Sequence, residues 1–274
     1  LHLCDRRQRQ MCIRDRIRSQ NRAYISNMVY SKLEKEKDYS VVCHKSAMAV
    51  LNEEKYRTSA LFIAADENAL QKLLQELPEK TYIEDFHKEP VNEKESLFVE
   101  NGFENYAKYN RVTTTFSENP YLSKEKGRRA LLQEMYNPNR REYPVVQDAE
   151  EIFDLCMDVF DPTIDEIFSV EDWRRTIENK ECVIVRENGK IVTLYKWRIE
   201  GKKLYGNISV NLGAANLLYD LERSVFDEYW EKGIRTMYAW INCSNNKALK
   251  RGPGYEREIV KARNVLYDTI YKKQ

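Results

Sequence analysis

The stretch of residues 181–250 constrains the fold of this chain more than any other. It opens with three apolar runs separated by polar turns at Asn188-Gly189 and at Gly201. Apolar runs joined by an Asn-Gly step predict a β-hairpin, because both residues tolerate the positive φ of tight hairpin turns. Apolar residues then recur at three- and four-residue steps as far as Gly233, which predicts an amphipathic helix with a glycine C-cap. A strand-like run and a second helix follow.

Residues 1–16 do not take part in this pattern. Residues 6–15 read RRQRQMCIRD, which a transposase-type library adapter would encode. We interpret residues 1–16 as an adapter-derived artefact, exclude them from the fold and expect the natural chain to begin near Ile17. The alternative interpretation is a basic arm that binds nucleic acid.

Composition excludes several classes of function. The formal net charge is +1, with no concentrated basic patch after residue 16, so we expect no nucleic-acid partner. The cysteines beyond residue 16 are scattered without a CxxC pair, which predicts no metal site and indicates a reducing compartment. No apolar run approaches the roughly 18 residues that a membrane span needs. We therefore expect a cytoplasmic protein without a membrane partner. The oligomeric state stays open.

The first half of the chain repeats the order of the second. Three alternating runs lead into the helix-like ENALQKLLQE, followed by a strand, a helix closed by Gly102 and another strand. Before them, Ala23–Leu33 predicts a short amphipathic helix. We expect an incomplete N-terminal module over residues 17–118, a linker with a helix over 119–141 and a C-terminal module over 142–274. The last opens with YPVVQ as a strand and Asp148 as a helix cap.

This element order resembles the core of the Gcn5-related N-acetyltransferase (GNAT) superfamily. Gly102-Phe103 and Gly254-Tyr255 resemble the glycine-aromatic pair that closes the last helix of that fold. The resemblance implies an α+β fold of two tandem GNAT-like modules. Each would be a mostly antiparallel mixed sheet flanked by helices, with the C-terminal module more complete.

The resemblance also implies an acyl-CoA site, with acetyl-CoA as the default co-substrate. GNAT proteins bind pantetheine between two splayed strands and pyrophosphate at a helix N-terminus, whose unpaired amides and dipole favour anions. The family loop pattern is half kept, because Val210 takes the place of its first glutamine or arginine. The implied cofactor-binding residues are Ser209, Val210, Gly213, Ala214, Ala215, Asn216 and Asn245. The structural alternatives are a tight turn at Gly213 and an N-cap at Asn245.

Four polar residues on two strands are candidates for the chemistry. They are Tyr205, Asn207, Tyr238 and Asn242. Asparagine can only position substrate or water, and tyrosine, with a usual pKa near 10, is a better acid than base. The tyrosine that protonates the leaving thiolate in many GNAT proteins is missing, because residues 250–253 read KRGP. Each candidate is alternatively a structural residue.

The leading functional interpretation is an acyl-CoA-dependent N-acyltransferase, by family frequency an N-acetyltransferase, acting on an amine of a small molecule or peptide. The acidic turn Asp66-Glu67-Asn68 would repel pyrophosphate, so we expect the first half not to bind CoA. The first alternative is a catalytically degenerate GNAT-like binding or scaffold protein. The second is a FemAB-like aminoacyl transferase, which would need a basic surface for charged tRNA that the composition does not indicate.

Overall fold

The computed structural model describes residues 24–26, 40–44, 46–122, 128–251 and 260–274. It divides into two compact units, one of residues up to Tyr109 together with Leu266–Gln274, the other of Asn110–Val265. The described strands are β1 (Tyr24–Ile25), β2 (Ser40–His44), β3 (Ala47–Glu53), β4 (Thr58–Ala64), β5 (Thr81–His87), β6 (Phe103–Phe116), β7 (Cys182–Glu187), β8 (Lys190–Glu200), β9 (Lys203–Asn211), β10 (Thr236–Asn242) and β11 (Val260–Lys273). The described α-helices are α1 (Glu67–Glu76), α2 (Glu95–Glu100), α3 (Arg128–Glu134), α4 (Ala149–Val159), α5 (Val170–Glu178), α6 (Ala215–Glu231) and α7 (Asn246–Arg251).

In the first unit, β2, β3 and β4 form an antiparallel meander. The strand β5 runs parallel to β4 over two residue pairs and antiparallel to the C-terminal part of β11. The helix α1 forms as its leucine spacing predicts, with Leu70, Leu73 and Leu74 fully buried. These leucines pack against the meander in one apolar cluster.

The prediction of a helix over Ala23–Leu33 is wrong where the structure describes that segment. Tyr24 and Ile25 form β1, paired antiparallel with Ala64 and Ile63. The edge of β4 offers backbone partners that an isolated short helix lacks, and aromatic and β-branched residues favour strands. The rest of this segment, like residues 1–16, lies outside the described residues.

In the second unit, β7, β8 and β9 form the antiparallel meander that the apolar runs predict. Its turns use positive φ values at Asn188 (52°), Gly189 (79°) and Gly201 (59°), which is why these residue types stand there. The helix α6 packs in one apolar cluster of this unit and α4 and α5 in another. Gly233 closes α6 with a φ of 87°.

Two details before this meander differ from the sequence prediction. Residues 143–147 are not a strand, because only Glu142 makes an isolated bridge, to Ile184, and Pro144 has no N–H to donate. Asp148 stands at the N-cap of α4, but its carboxylate does not cap it. It accepts from the Val145 amide (2.8 Å) and pairs with Arg186 (2.7 Å) instead.

The two units share one order of elements. In each, an antiparallel three-stranded meander leads into a helix and then into a strand parallel to the last strand of the meander. That parallel pairing is short in both, with two residue pairs between β4 and β5 and three between β9 and β10. No helix among the described residues is long and apolar enough to cross a membrane.

Candidate functional site

The strands β9 and β10 pair only where they begin. Their register covers Lys203–Thr236, Leu204–Met237 and Tyr205–Tyr238, while β9 continues to Asn211 and β10 to Asn242. Beyond Tyr205, the edge of β9 on the side of β10 is therefore not paired with β10. Backbone N–H and C=O groups at such an edge need other partners, such as an extended ligand.

A β-bulge lies at this point of β9. Gly206 pairs with Trp197 and Ile208 with Lys196, so Asn207 is the extra residue between two consecutive positions of β8. A bulge turns a side chain out of the alternation of its strand and is common beside active sites. Here the Asn207 side chain contacts Tyr205, with 3.2 Å between Asn207 Nδ2 and Tyr205 Oη.

A buried lysine and an exposed carboxylate hold the Asn207 amide. Lys196 Nζ donates to Asn207 Oδ1 (3.0 Å) and lies 4.4 Å from the centre of the Phe168 ring. Lys196 is 3% exposed, and this burial lowers its pKa. Asn207 Nδ2 donates to Glu166 Oε2 (3.1 Å), which places that carboxylate at the bulge.

Two arginines and three aromatic rings from four strands stack in one row, and we call these five side chains the cation–aromatic ladder. The Tyr205 and Tyr238 rings stack at 4.5 Å with an interplanar angle of 7°. The Arg198 guanidinium lies 4.8 Å from the Tyr205 ring. The Arg111 guanidinium lies 5.7 Å from the Tyr238 ring and 5.6 Å from the Trp240 ring. The ladder thus marks the point where β9 and β10 separate.

Burial and the Glu200 carboxylate together affect the ionisation of the tyrosines in the ladder. Its carboxylate accepts from the Tyr238 hydroxyl and from Arg198 Nε (2.6 Å). The Tyr238 hydrogen bond and Arg198 hold the pKa of Glu200 below its usual value. Burial raises the pKa of Tyr205, and burial with the Glu200 carboxylate raises that of Tyr238. At neutral pH both phenols keep their protons, so they can donate hydrogen bonds but not act as bases.

The N-terminus of α6 has no side-chain cap. Ala214 occupies the N-cap position with extended φ and ψ and has no side-chain oxygen to offer to the first-turn amides. The Ala214 carbonyl accepts from Asn211 Nδ2 (3.1 Å) and from the Leu217 amide (3.1 Å). Ala215 at the start of α6 and Ser209 of β9 are exposed, while Asn216 is 7% exposed.

Two loop residues that the GNAT resemblance assigns to the cofactor have structural explanations. Val210 is 1% exposed and belongs to the apolar cluster of α4 and α5. A Cβ on Gly213 would come within 2.7 Å of Leu217 Cδ1, so a larger residue there would require the end of that side chain to move. It would also lie 3.8 Å from Glu187 Oε2, which places a carboxylate beside the loop.

The remaining predicted residues lie at the ends of β10 and α7. Asn242 Oδ1 accepts from the Ser244 amide (2.9 Å) and hydroxyl (2.8 Å) in the turn after β10. Asn245 Oδ1 accepts from the Ala248 amide (3.0 Å) and is the N-cap of α7. The structure thus brings Tyr205, Asn207 and Tyr238 together, and Asn242 makes a local turn instead.

The sequence patterns did not single out five charged residues of the site. Arg111, Glu166, Lys196, Arg198 and Glu200 come from β6, the α4–α5 loop and β8. Lys196 carried a usable signal, because a lysine inside the apolar run LYKW predicts a charge that needs a buried partner. Among the described residues, no group of three or more His, Cys, Asp or Glu side chains is arranged to hold a metal ion.

No family model matches the sequence, and no curated protein matches it. Among solved structures, a GCN5-related N-acetyltransferase from Sphaerobacter thermophilus superimposes with a TM-score of 0.51 at 15% identity, covering 81% of this chain and 76% of that chain. A GNAT-family protein from Novosphingobium aromaticivorans gives a TM-score of 0.48 at 17% identity, covering 85% and 91%. The first of these similarities shows that the chain has a GNAT-like fold, a mixed α+β architecture with a mostly antiparallel sheet flanked by helices.

Proposed function

We propose that the protein is an acyl-CoA-dependent N-acyltransferase that uses the separation of β9 and β10 in its second unit. The observation that carries this proposal is the end of their pairing at Tyr205–Tyr238, directly before the bulge at Asn207. A GNAT-like fold with this opening suits a thioester laid along the edge of β9. Acetyl-CoA is the default co-substrate, and the acceptor is an amine of a small molecule or peptide.

In the proposed reaction the neutral amine attacks the thioester carbonyl. A C–N bond forms, the C–S bond breaks, the amine loses one proton and the departing thiolate gains one to give CoA. The edge of β9 from Gly206 to Asn211 would bind the pantetheine arm, and the first amides of α6 the pyrophosphate. A helix N-terminus suits an anion because its first N–H groups have no intrahelical partner.

Glu166 is the proposed base. It is an exposed carboxylate that Asn207 holds at the bulge, next to where the edge of β9 opens. Tyr205 and Tyr238 are unsuited to this role, since their pKa values are raised. They act as hydrogen-bond donors and aromatic walls. Lys196 is a positioning residue, because its only role toward substrate is through Asn207.

The two units are proposed to be tandem GNAT-like modules, of which only the second binds acyl-CoA. The contrast between their corresponding helices supports this division. In the first unit the Asp66 carboxylate caps α1 by accepting from the Ala69 amide (2.8 Å), whereas Ala214 leaves α6 without a side-chain cap. An acidic cap occupies an amide and repels a phosphate group, so α1 is unsuited to pyrophosphate.

A degenerate binding or scaffold protein is the second candidate function. The features that favour it are the buried Val210 at the first position of the family loop pattern and the carboxylate of Glu187 beside Gly213. Like charges at this range disfavour pyrophosphate binding. A protein of this kind would retain the GNAT-like fold without turnover.

The experiment measures release of free thiol from acetyl-CoA over a panel of primary amines, with wild type and Glu166→Gln. The proposal requires amine-dependent thiol release by wild type and a fall in kcat of about 10² to 10⁴ in the variant. The matched control is Glu178→Gln, at an exposed glutamate, and it should keep the kcat of wild type. Acetyl-CoA binding without thiol release on any amine would favour the degenerate candidate.

A further inference from the structure

Arg111 is the cation of the ladder that keeps an unpartnered donor within the described part of the chain. Its Nε is buried and has no hydrogen-bond partner there. The Nε–H of Arg198, the other arginine of the ladder, donates a hydrogen bond to Glu200 (2.6 Å). The two guanidinium groups therefore differ in what they can offer to a ligand.

The rings beside Arg111 fix its position at the opening. Tyr238 is the last β10 residue paired with β9, and Trp240 lies two residues beyond it. A guanidinium held over two aromatic faces has lost much of its rotamer freedom, so it loses less entropy when it binds an anion. Its planar fork of N–H groups matches the two oxygens of a carboxylate.

We propose that Arg111 binds a carboxylate of the acceptor, which makes the substrate an amine that also carries a carboxylate, as an amino acid does. This inference rests on the proposed N-acyltransferase function and names its substrate class. The carboxylate would occupy Arg111 while the amine lies toward Glu166 at the bulge.

The charges around Tyr205 suit such a zwitterion. Glu166 and Glu200 both act electrostatically on the Tyr205 hydroxyl, so two carboxylates lie near the ladder. Arg198 already pairs with Glu200 at 2.6 Å, which leaves Glu166 as the carboxylate for the amine of a ligand. A ligand with one positive and one negative group therefore meets a partner for each, Glu166 for the amine and Arg111 for the carboxylate.

The test compares L-amino acids with their amides, which keep the amine and side chain and lose only the negative charge. Thiol release from acetyl-CoA is measured with wild type, Arg111→Gln, Arg111→Lys and the exposed control Arg175→Gln. We expect kcat/KM for the best amino acid to exceed that for its amide by about 10- to 100-fold, the range of a charge-assisted pair. Arg111→Gln should remove this preference by raising KM for the amino acid, with amide kinetics and the KM for acetyl-CoA unchanged. Arg111→Lys should keep only part of the preference for the amino acid over its amide, and Arg175→Gln should keep the wild-type preference.

Amides that react as well as amino acids, or a preference that survives Arg111→Gln, would overturn the inference. So would turnover of other amines with no amino acid accepted. Calorimetric titration of wild type and Arg111→Gln with the same amino acids and amides separates this inference from the proposed function. One outcome is that amino acids bind to wild type but not to Arg111→Gln, while acetyl-CoA does not bind. That outcome would support the carboxylate site and refute the acyltransferase. Acetyl-CoA binding without any amino acid binding or turnover would refute the carboxylate site alone.

Discussion

Replacing Asp268 with asparagine should stabilise the first unit, and by more at alkaline than at acidic pH. Asp268 lies opposite Phe86 in the pairing of β11 with β5 and is 8% exposed. Its Oδ1 has no hydrogen-bond partner in the described part of the chain. Burial, together with the carboxylates of Glu84 and Asp85, raises its pKa from 3.8 to about 8. Arg57 opposes this rise but is itself paired with Glu84 at 2.6 Å.

The sign and size of the effect follow from proton linkage. Between pH 3.8 and about pH 8 the folded protein holds the Asp268 proton and the unfolded chain does not, so stability falls as pH rises through this window. Each tenfold change in proton concentration there costs up to about 1.4 kcal/mol. From pH 5 to pH 8 the ceiling is therefore about 4 kcal/mol, and relaxation around the charge reduces it to on the order of 2 kcal/mol. Asparagine has a similar shape and carries no charge, so it abolishes this dependence.

Urea unfolding at pH 5 and pH 8 measures the effect on wild type, Asp268→Asn and the exposed control Asp158→Asn. At pH 8 the free energy of unfolding of Asp268→Asn should exceed that of wild type. This difference between variant and wild type should be about 2 kcal/mol larger at pH 8 than at pH 5. The control should differ from wild type by less than about 0.5 kcal/mol at both values. An equal difference between Asp268→Asn and wild type at the two pH values would refute the reasoning.

Three further substitutions test other parts of the structure. Lys196→Met should lower kcat in steady-state kinetics, because Asn207 loses the lysine that holds it. In urea unfolding the free energy of unfolding should stay unchanged or rise, because an apolar chain replaces a desolvated ammonium. Tyr238→Phe should remove the hydrogen bond to Glu200 and cost about 1.5 to 3 kcal/mol in the same unfolding assay. Gly233→Ala should lower stability by about 1 kcal/mol, since its φ of 87° suits glycine, and thermal melting that shows no change would count against this C-cap.

The local elements of the fold are predictable from the sequence because their causes are local. Asn188-Gly189 and Gly201 adopt the positive φ that hairpin turns need, and Ser169 and Asp172, three residues apart, form a capping box at the start of α5. Two of the wrong predictions concern residues whose partners are distant in sequence. Tyr24 and Ile25 pair with β4, and the Asp148 carboxylate binds Arg186 rather than its own helix.

The candidate site was only partly predictable for the same reason. Tyr205, Asn207 and Tyr238 follow from the polar pattern of two strands, but the bulge at Asn207 depends on how β9 pairs with β8. Arg111 comes from β6, far from β10 in sequence, and only tertiary structure places it over Tyr238. Side-chain partners of this kind leave no periodic signal.

The proposed acyl-CoA site of the second unit is tested most directly by an acetyl-CoA titration of wild type and Ala214→Asp, followed by thermal unfolding. Acetyl-CoA at about 100 times its Kd should stabilise wild type by about 2.7 kcal/mol, and ATP at the same concentration should not. Aspartate at the exposed N-cap should stabilise α6 by about 0.5 to 2 kcal/mol and abolish the response to acetyl-CoA, because it occupies a first-turn amide and adds negative charge. Wild type that shows no shift at millimolar acetyl-CoA, or Ala214→Asp that keeps the full shift, would contradict pyrophosphate binding at α6.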